Sequence, residues 1–243
     1  MKRLFILIGF LITSFVNAQY FQEITYGVYV GGNQSKMDNI EPALIPRGIY
    51  SGYSTKEVPN IGFTAGFYIN WKKNYDSKMS IEADISYSQQ YPEFTYENIK
   101  DLEYNIKFNY NYLNAGILFK FYPIENLYIG AGPTLALNLN PNDMTYTSNG
   151  ASRPGGIDFE PDETVQKVLK ESFEGKNFLK ATFGLGYEFN SDITIGIRYS
   201  LGLSDALETK ENGFRYSEVK NKMSSFGISI GYRFHFDETN NFQ

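Results

Sequence analysis

Seven ionisable residues lie inside segments that otherwise alternate apolar and small residues: Glu82, Asp84, Lys120, Lys180, Glu188, Arg198 and Arg233. Charges in that setting can do two kinds of chemistry. They can line a narrow ion path or a proton-sensitive gate, or they can satisfy one another as a buried salt-bridge network, because an unpaired buried charge is costly. The network is the favoured reading. Hydrolysis near neutral pH would need a base beside a nucleophile, commonly a His with Ser or Asp. The chain has a single His, His235, next to Arg233 in the alternation and with no apparent Ser partner. The acidic group Asp158, Glu160, Asp162 and Glu163 could supply a carboxylate pair or oxygen ligands for Ca²⁺, but it lacks EF-hand spacing. No catalytic residue, metal site or cofactor is expected.

The elements that must position those charges are strands. Residues 193–204 place Ile193, Ile195, Ile197, Tyr199, Leu201 and Leu203 on one face, with Arg198 in the middle of the other. Successive strand side chains point to opposite faces, so one face is continuously apolar and the other polar. The same pattern recurs at 24–34, 61–71, 79–90, 108–121, 127–138, 178–189 and 222–236, giving about eight strands. All seven charged residues fall on the polar parity. Pro133 removes a ladder donor within its strand, so a bulge or local loss of pairing is expected there.

Period two does not by itself say which face is inside. A soluble barrel would bury the apolar face; a membrane barrel would turn it to lipid. The interruptions favour the membrane. Residues 35–59, 91–105, 139–177 and 205–221 are long, and 72–77, 122–126 and 190–192 are short, in strict alternation. That is the order of an even-stranded antiparallel up-and-down transmembrane β-barrel with short periplasmic turns and long extracellular loops. Trp71, Phe121, Phe189 and Phe236 sit at the periplasmic ends, where an aromatic girdle belongs, and Tyr87 and Tyr199 toward the opposite rim. Within the longest loop, 161–175 reads as a short helix with Val165, Val168 and Leu169 at helical spacing. The loops 35–59 and 139–177 exceed what hairpin closure requires, and their apolar residues could cover the barrel mouth, the favoured reading, or dock a protein partner.

Lys2 and Arg3, the apolar run Leu4–Val16 and the small residues up to Ala18 read as a cleaved signal peptide, 1–18, ahead of a barrel at 19–236 and a polar tail at 237–243. The apolar run is shorter than the ~20 residues of a spanning helix. With no Cys there is no lipoprotein anchor, disulfide framework or thiolate metal site. Removing residues 1–18 takes away two cations and moves the formal charge from −5 to −7, which argues against nucleic acid. Aromatics at 17% and twenty-two Gly suit a barrel with an aromatic exterior and a crowded lumen.

The run from Tyr112 to Pro123, YLNAGILFKFYP, followed by Asn126 to Pro133, NLYIGAGP, resembles the central hairpin of PorT-like outer-membrane β-barrel proteins. In layout the chain is also similar to small OmpA/OmpX-type barrels. The family's strand usually carries Pro-Leu-Leu ahead of its Lys, where this chain has Ala115-Gly116-Ile117. The resemblance implies an integral outer-membrane barrel contacting lipid, and it brings in a role in type IX secretion as an alternative. The leading expectation is a non-enzymatic structural, adhesion or assembly component; a lipid- or peptide-modifying enzyme comes third.

Overall fold

The computed structural model describes residues 23–38, 53–74, 76–98, 103–148, 162–209 and 221–235. The signal-peptide reading, the tail, Phe236, Asp158, Glu160 and the apolar residues Ile40, Leu44, Ile45 and Ile49 lie outside them. In chain order the elements are β1 (Glu23–Asp38), β2 (Tyr53–Val58), β3 (Ile61–Lys72), β4 (Met79–Gln90), β5 (Glu93–Asn98), β6 (Glu103–Phe108), β7 (Tyr110–Ile124), β8 (Leu127–Asn138) and β9 (Met144–Ser148). They continue with α1 (Asp162–Ser172), β10 (Phe173–Gly175), β11 (Phe178–Glu188), β12 (Ile193–Gly202), β13 (Leu207–Thr209) and β14 (Lys222–His235).

Eight of the strands close a barrel in the order β1-β3-β4-β7-β8-β11-β12-β14, and β14 returns to β1. Every pairing is antiparallel, and the closing seam runs without a break from Thr25↔His235 to Asp38↔Lys222. Closure leaves no unpaired edge, which is the condition for a sheet to sit in hydrocarbon. The apolar parity faces out. Each barrel strand presents a large exposed hydrophobic: Val30, Phe67, Ile85, Phe119, Ile129, Phe183, Ile195 and Ile228. A surface so continuously apolar has lipid as its natural solvent. The soluble, inside-out alternative is thereby overturned.

Inside, bulky lumen residues face missing ones. A Cβ on Gly186 would lie 2.5 Å from the Tyr128 ring, so the glycine makes room for that tyrosine. Gly27 does the same for Tyr68. At Pro133 the β7–β8 ladder skips Ile117 and Leu118 and resumes in unchanged register at Phe119↔Ala131. The consequence of the proline is local loss of pairing, not a bulge; the register shift on this hairpin is at Phe121/Ile124, beside the turn. That turn is tighter than the reading of 122–126, because β7 runs on to Ile124 and Asn126 takes φ 65°. Asn tolerates this left-handed conformation better than most residues.

The long connections hold more structure than their sequences suggest. β1 extends to Asp38, and β2, β5, β6 and β9 form a four-stranded sheet that carries the β3-β4-β7-β8 wall past the barrel rim. β10 and β13 extend the β11–β12 hairpin in the same way. The reading of 35–59, 91–105, 139–177 and 205–221 as loops is corrected accordingly. The helix is shorter than 161–175, since Phe173–Gly175 pair as a strand. β12 and β14 end at Gly202 and His235.

Candidate functional site: a lumen closed in three layers

From the periplasmic end upward, the first layer is ionic. The strand parity that turns apolar residues outward turns Glu82 and Asp84 of β4, Lys120 of β7, Lys180 and Glu188 of β11, Arg198 of β12 and Arg233 of β14 into the lumen. Six of these form one chain of alternating charge. Arg233 meets Glu188 at 3.2 Å, Glu188 meets Lys120 at 3.2 Å, and Lys120 meets Glu82 at 2.5 Å. Arg198 then bridges Glu82 at 2.7 Å and Asp84 at 3.3 Å. Three cations alternate with three carboxylates, and Arg233 also reaches a fourth, the half-buried Asp192, at 3.8 Å. Glu82 is 1% exposed, so its two cations supply the compensation that water would otherwise give.

Tyrosines complete this layer. Lys120 lies 3.9 Å from the centroid of the Tyr128 ring, and the Arg198 guanidinium 4.8 Å from that of Tyr29. The Tyr122 hydroxyl donates to Glu188 at 2.9 Å, and the Tyr29 hydroxyl donates to Asp84 at 3.1 Å. Tyr29, Tyr68 and Tyr128 share the parity of the seven charges, but no sequence argument gave them a part in the site. The signal that could have found them was a large aromatic at inward parity, with Gly27, Gly66 or Gly186 as the lumen neighbour.

The seventh charge stands apart. Lys180 is 4% exposed, and its ammonium donates to Asn114 Oδ1 at 2.7 Å. Among the described residues no carboxylate lies within ion-pair distance of it. It sits in the second layer, a polar chamber of about 70 Å³ walled mainly by hydroxyls and amides. There Thr182 shares hydrogen bonds with Thr134 at 2.9 Å and Ser200 at 3.0 Å. Asn114 also donates to Ser88 at 2.9 Å.

The third layer is apolar and caps the chamber. Met37, Phe94, Ile106, Phe108, Tyr110, Tyr112, Phe173, Phe178 and Met223 form one buried cluster with Leu169 of α1. Its rings meet edge-on: Phe108 and Phe173 at 6.2 Å, Tyr110 and Tyr112 at 6.2 Å, Tyr112 and Phe178 at 5.3 Å. Two asparagines tie the backbone around it. Asn221 accepts from the amides of Ala206 and Leu207 and donates to the Leu207 carbonyl. Asn140 accepts from the Asn111 amide and donates to the Asn109 carbonyl.

On the lipid face, Trp71, Phe121 and Phe189 stand at the end carrying the short turns, and Tyr187, Tyr232 and Phe234 join them. Tyr87 and Tyr199 lie toward the other rim, where the Tyr87 hydroxyl donates to Asn111 Oδ1 at 2.8 Å. His235 pairs through its backbone with Thr25 at the short-turn end.

A closed, lipid-facing, eight-stranded antiparallel barrel with a filled lumen is the architecture of small outer-membrane proteins. The model of the outer membrane protein beta-barrel domain matches residues 17–208, and the chain belongs to that family. It is an outer-membrane β-barrel protein. Similar solved structures include the outer membrane protein OprG of Pseudomonas aeruginosa, at 14% identity, TM-score 0.42, over 90% of this chain and 99% of that one. Neisserial surface protein A matches at 10% identity, TM-score 0.40, over 86% and 97%. Ail, the attachment invasion locus protein of Yersinia pestis, matches at 15% identity, TM-score 0.36, over 88% and 100%. No curated protein matches the sequence.

Proposed function

We propose that this barrel is a non-enzymatic, non-conducting outer-membrane component whose extracellular sheet serves an adhesion or assembly role toward a protein partner. The observation that carries the reading is the stacking of an ionic layer and an apolar cap across one lumen. With the bore filled twice over, the parts left to meet other molecules are the lipid face and the sheet β2-β5-β6-β9 above the rim. On this reading the chain reaches the outer membrane through the cleaved signal 1–18, and partners meet it at 35–59 and 139–177, which include β2, β9 and α1. Two measurements test it. The purified barrel in a planar bilayer should show no stable unitary conductance. A photo-crosslinker at the exposed Thr145 or Thr147 of β9 should give a protein adduct in intact cells that is absent with the crosslinker at Phe183. Steady channels, or adducts equal at the three positions, would sink it.

A second reading is a subunit of a type IX secretion machine of the PorT kind. It is favoured by the hairpin sequence 112–133, which forms the central β7–β8 pair. A deletion strain that still secretes its type IX cargo would exclude it. The third reading, an enzyme, would need chemistry at the extracellular rim, whereas His235 lies on the short-turn end of β14.

A further inference from the structure

We infer that the lumen chamber holds one small inorganic anion, of halide size and charge, beside the ammonium of Lys180. Four observations converge on this. In the ionic layer below, Arg233, Lys120 and Arg198 are the cations paired with Glu188, Glu82, Asp84 and Asp192. None of those carboxylates comes within ion-pair distance of Lys180, which is a buried cation without an ion-pair partner among the described residues. Its ammonium has three N–H groups and uses one of them on Asn114. The space beside it, about 70 Å³, takes a halide together with a few waters. Finally, the chamber wall contains polar capacity with no partner: Asn33 Oδ1 and Gln90 Oε1, both on side chains more than nine-tenths buried.

The physical argument is compensation. An unpaired charge held in a low-dielectric interior carries a large desolvation cost, which a mobile counter-ion removes as effectively as a carboxylate would. The wall hydroxyls can each rotate to donate to such an ion, and of the two other charged residues on the wall, Asp84 is already paired with Arg198 at 3.3 Å. The two unpartnered atoms are acceptors, on amides whose nitrogens already donate to the Phe63 carbonyl and the Ser88 hydroxyl, so they accept hydrogen bonds from the waters around the anion and not from the anion itself. The chamber lies between the apolar cap and the ionic layer and exists only once the strands have closed around it, so the anion binds the folded barrel. It is then a folding ligand: binding the folded state alone, it stabilises that state by mass action.

The full mature chain is refolded into phosphatidylcholine vesicles in sodium bromide or in sodium gluconate at equal ionic strength, gluconate being too large for the chamber. Urea unfolding is followed by the mobility of the unboiled band. The wild-type midpoint should rise with bromide concentration and stay flat in gluconate, and Lys180→Met should be indifferent to the anion. Crystals grown in bromide should show an anomalous peak within hydrogen-bond distance of Lys180 Nζ. A chamber without such a peak overturns the inference, whether or not the variant folds. So does a peak accompanied by equal bromide dependence in wild type and Lys180→Met, which would mark an adventitious ion only.

Discussion

Glu82 is the residue on which the lumen's charge balance turns, because it alone is shared between Lys120 and Arg198. Glu82→Gln leaves Lys120 with Glu188 alone and Arg198 with Asp84 alone, so each loses one of two carboxylate partners in a site that cannot replace it with water. Breaking a buried ionic unit from one side costs about 3–5 kcal/mol. Urea titration of the vesicle-folded barrel is expected to show a loss of that size. Lys36→Gln is the control: its pair with Asp38 at 3.6 Å is open to solvent, and its loss should cost less than about 1 kcal/mol. At this scale sequence reading reached the members of the network and stopped at the pairing. All seven charges could be assigned to one parity, opposite the apolar one, from alternation alone. Which carboxylate meets which cation depends on strand stagger around the barrel, and Lys180 looks like any other inward charge until that stagger is known.

At the scale of elements, two kinds of strand obey different rules. Membrane strands are written in the sequence because lipid imposes its demand at every second residue. Phe183, in the middle of β11 and half exposed to lipid, shows how strict the demand is. Phe183→Arg should cost about 2–4 kcal/mol by the same unfolding measurement, as expected of a charge near the bilayer midplane. The extracellular strands answer to a different environment. β5 and β6 are six residues each, and their buried members Phe94, Ile106 and Phe108 pack against Phe173, Met144 and Leu169, far along the chain. Phe108→Ala removes the ring at the centre of that cluster and should cost about 3–5 kcal/mol. The unboiled band shift should persist, because the barrel ladder is untouched, while proteolysis of residues 91–108 should accelerate. Segments 91–105 and 139–177 read as loops because nothing local marks them as strands; their stability comes from partners outside any window a periodicity argument can use.

For the whole molecule, the sole Trp of the chain reports orientation. Trp71 stands on the lipid face near the short-turn end, with Ile24 and Ile81 as ladder neighbours. In bilayers its fluorescence should shift to the blue on folding, and bromines near the headgroups should quench it more than bromines deep in the acyl chains. The reverse order would put the ring at the midplane and displace the girdle. Membership of the outer membrane protein beta-barrel domain family fixes the setting and not the task.

Alternation, connection lengths and the parity of the charges were determined by the sequence itself, because each is a local consequence of a strand lying between lipid and a narrow polar lumen. The number of strands and the order of the long and short connections followed from repeating that local rule. Period two is symmetric between the two faces, so the inward face was argued from connection lengths and established by the closed tertiary structure. Tertiary structure alone decided the ion-pair partners, the solitary Lys180 and the aromatic cap over the chamber. These depend on the stagger of neighbouring strands and on contacts between residues such as Met37, Phe108 and Phe178, which only closure brings together.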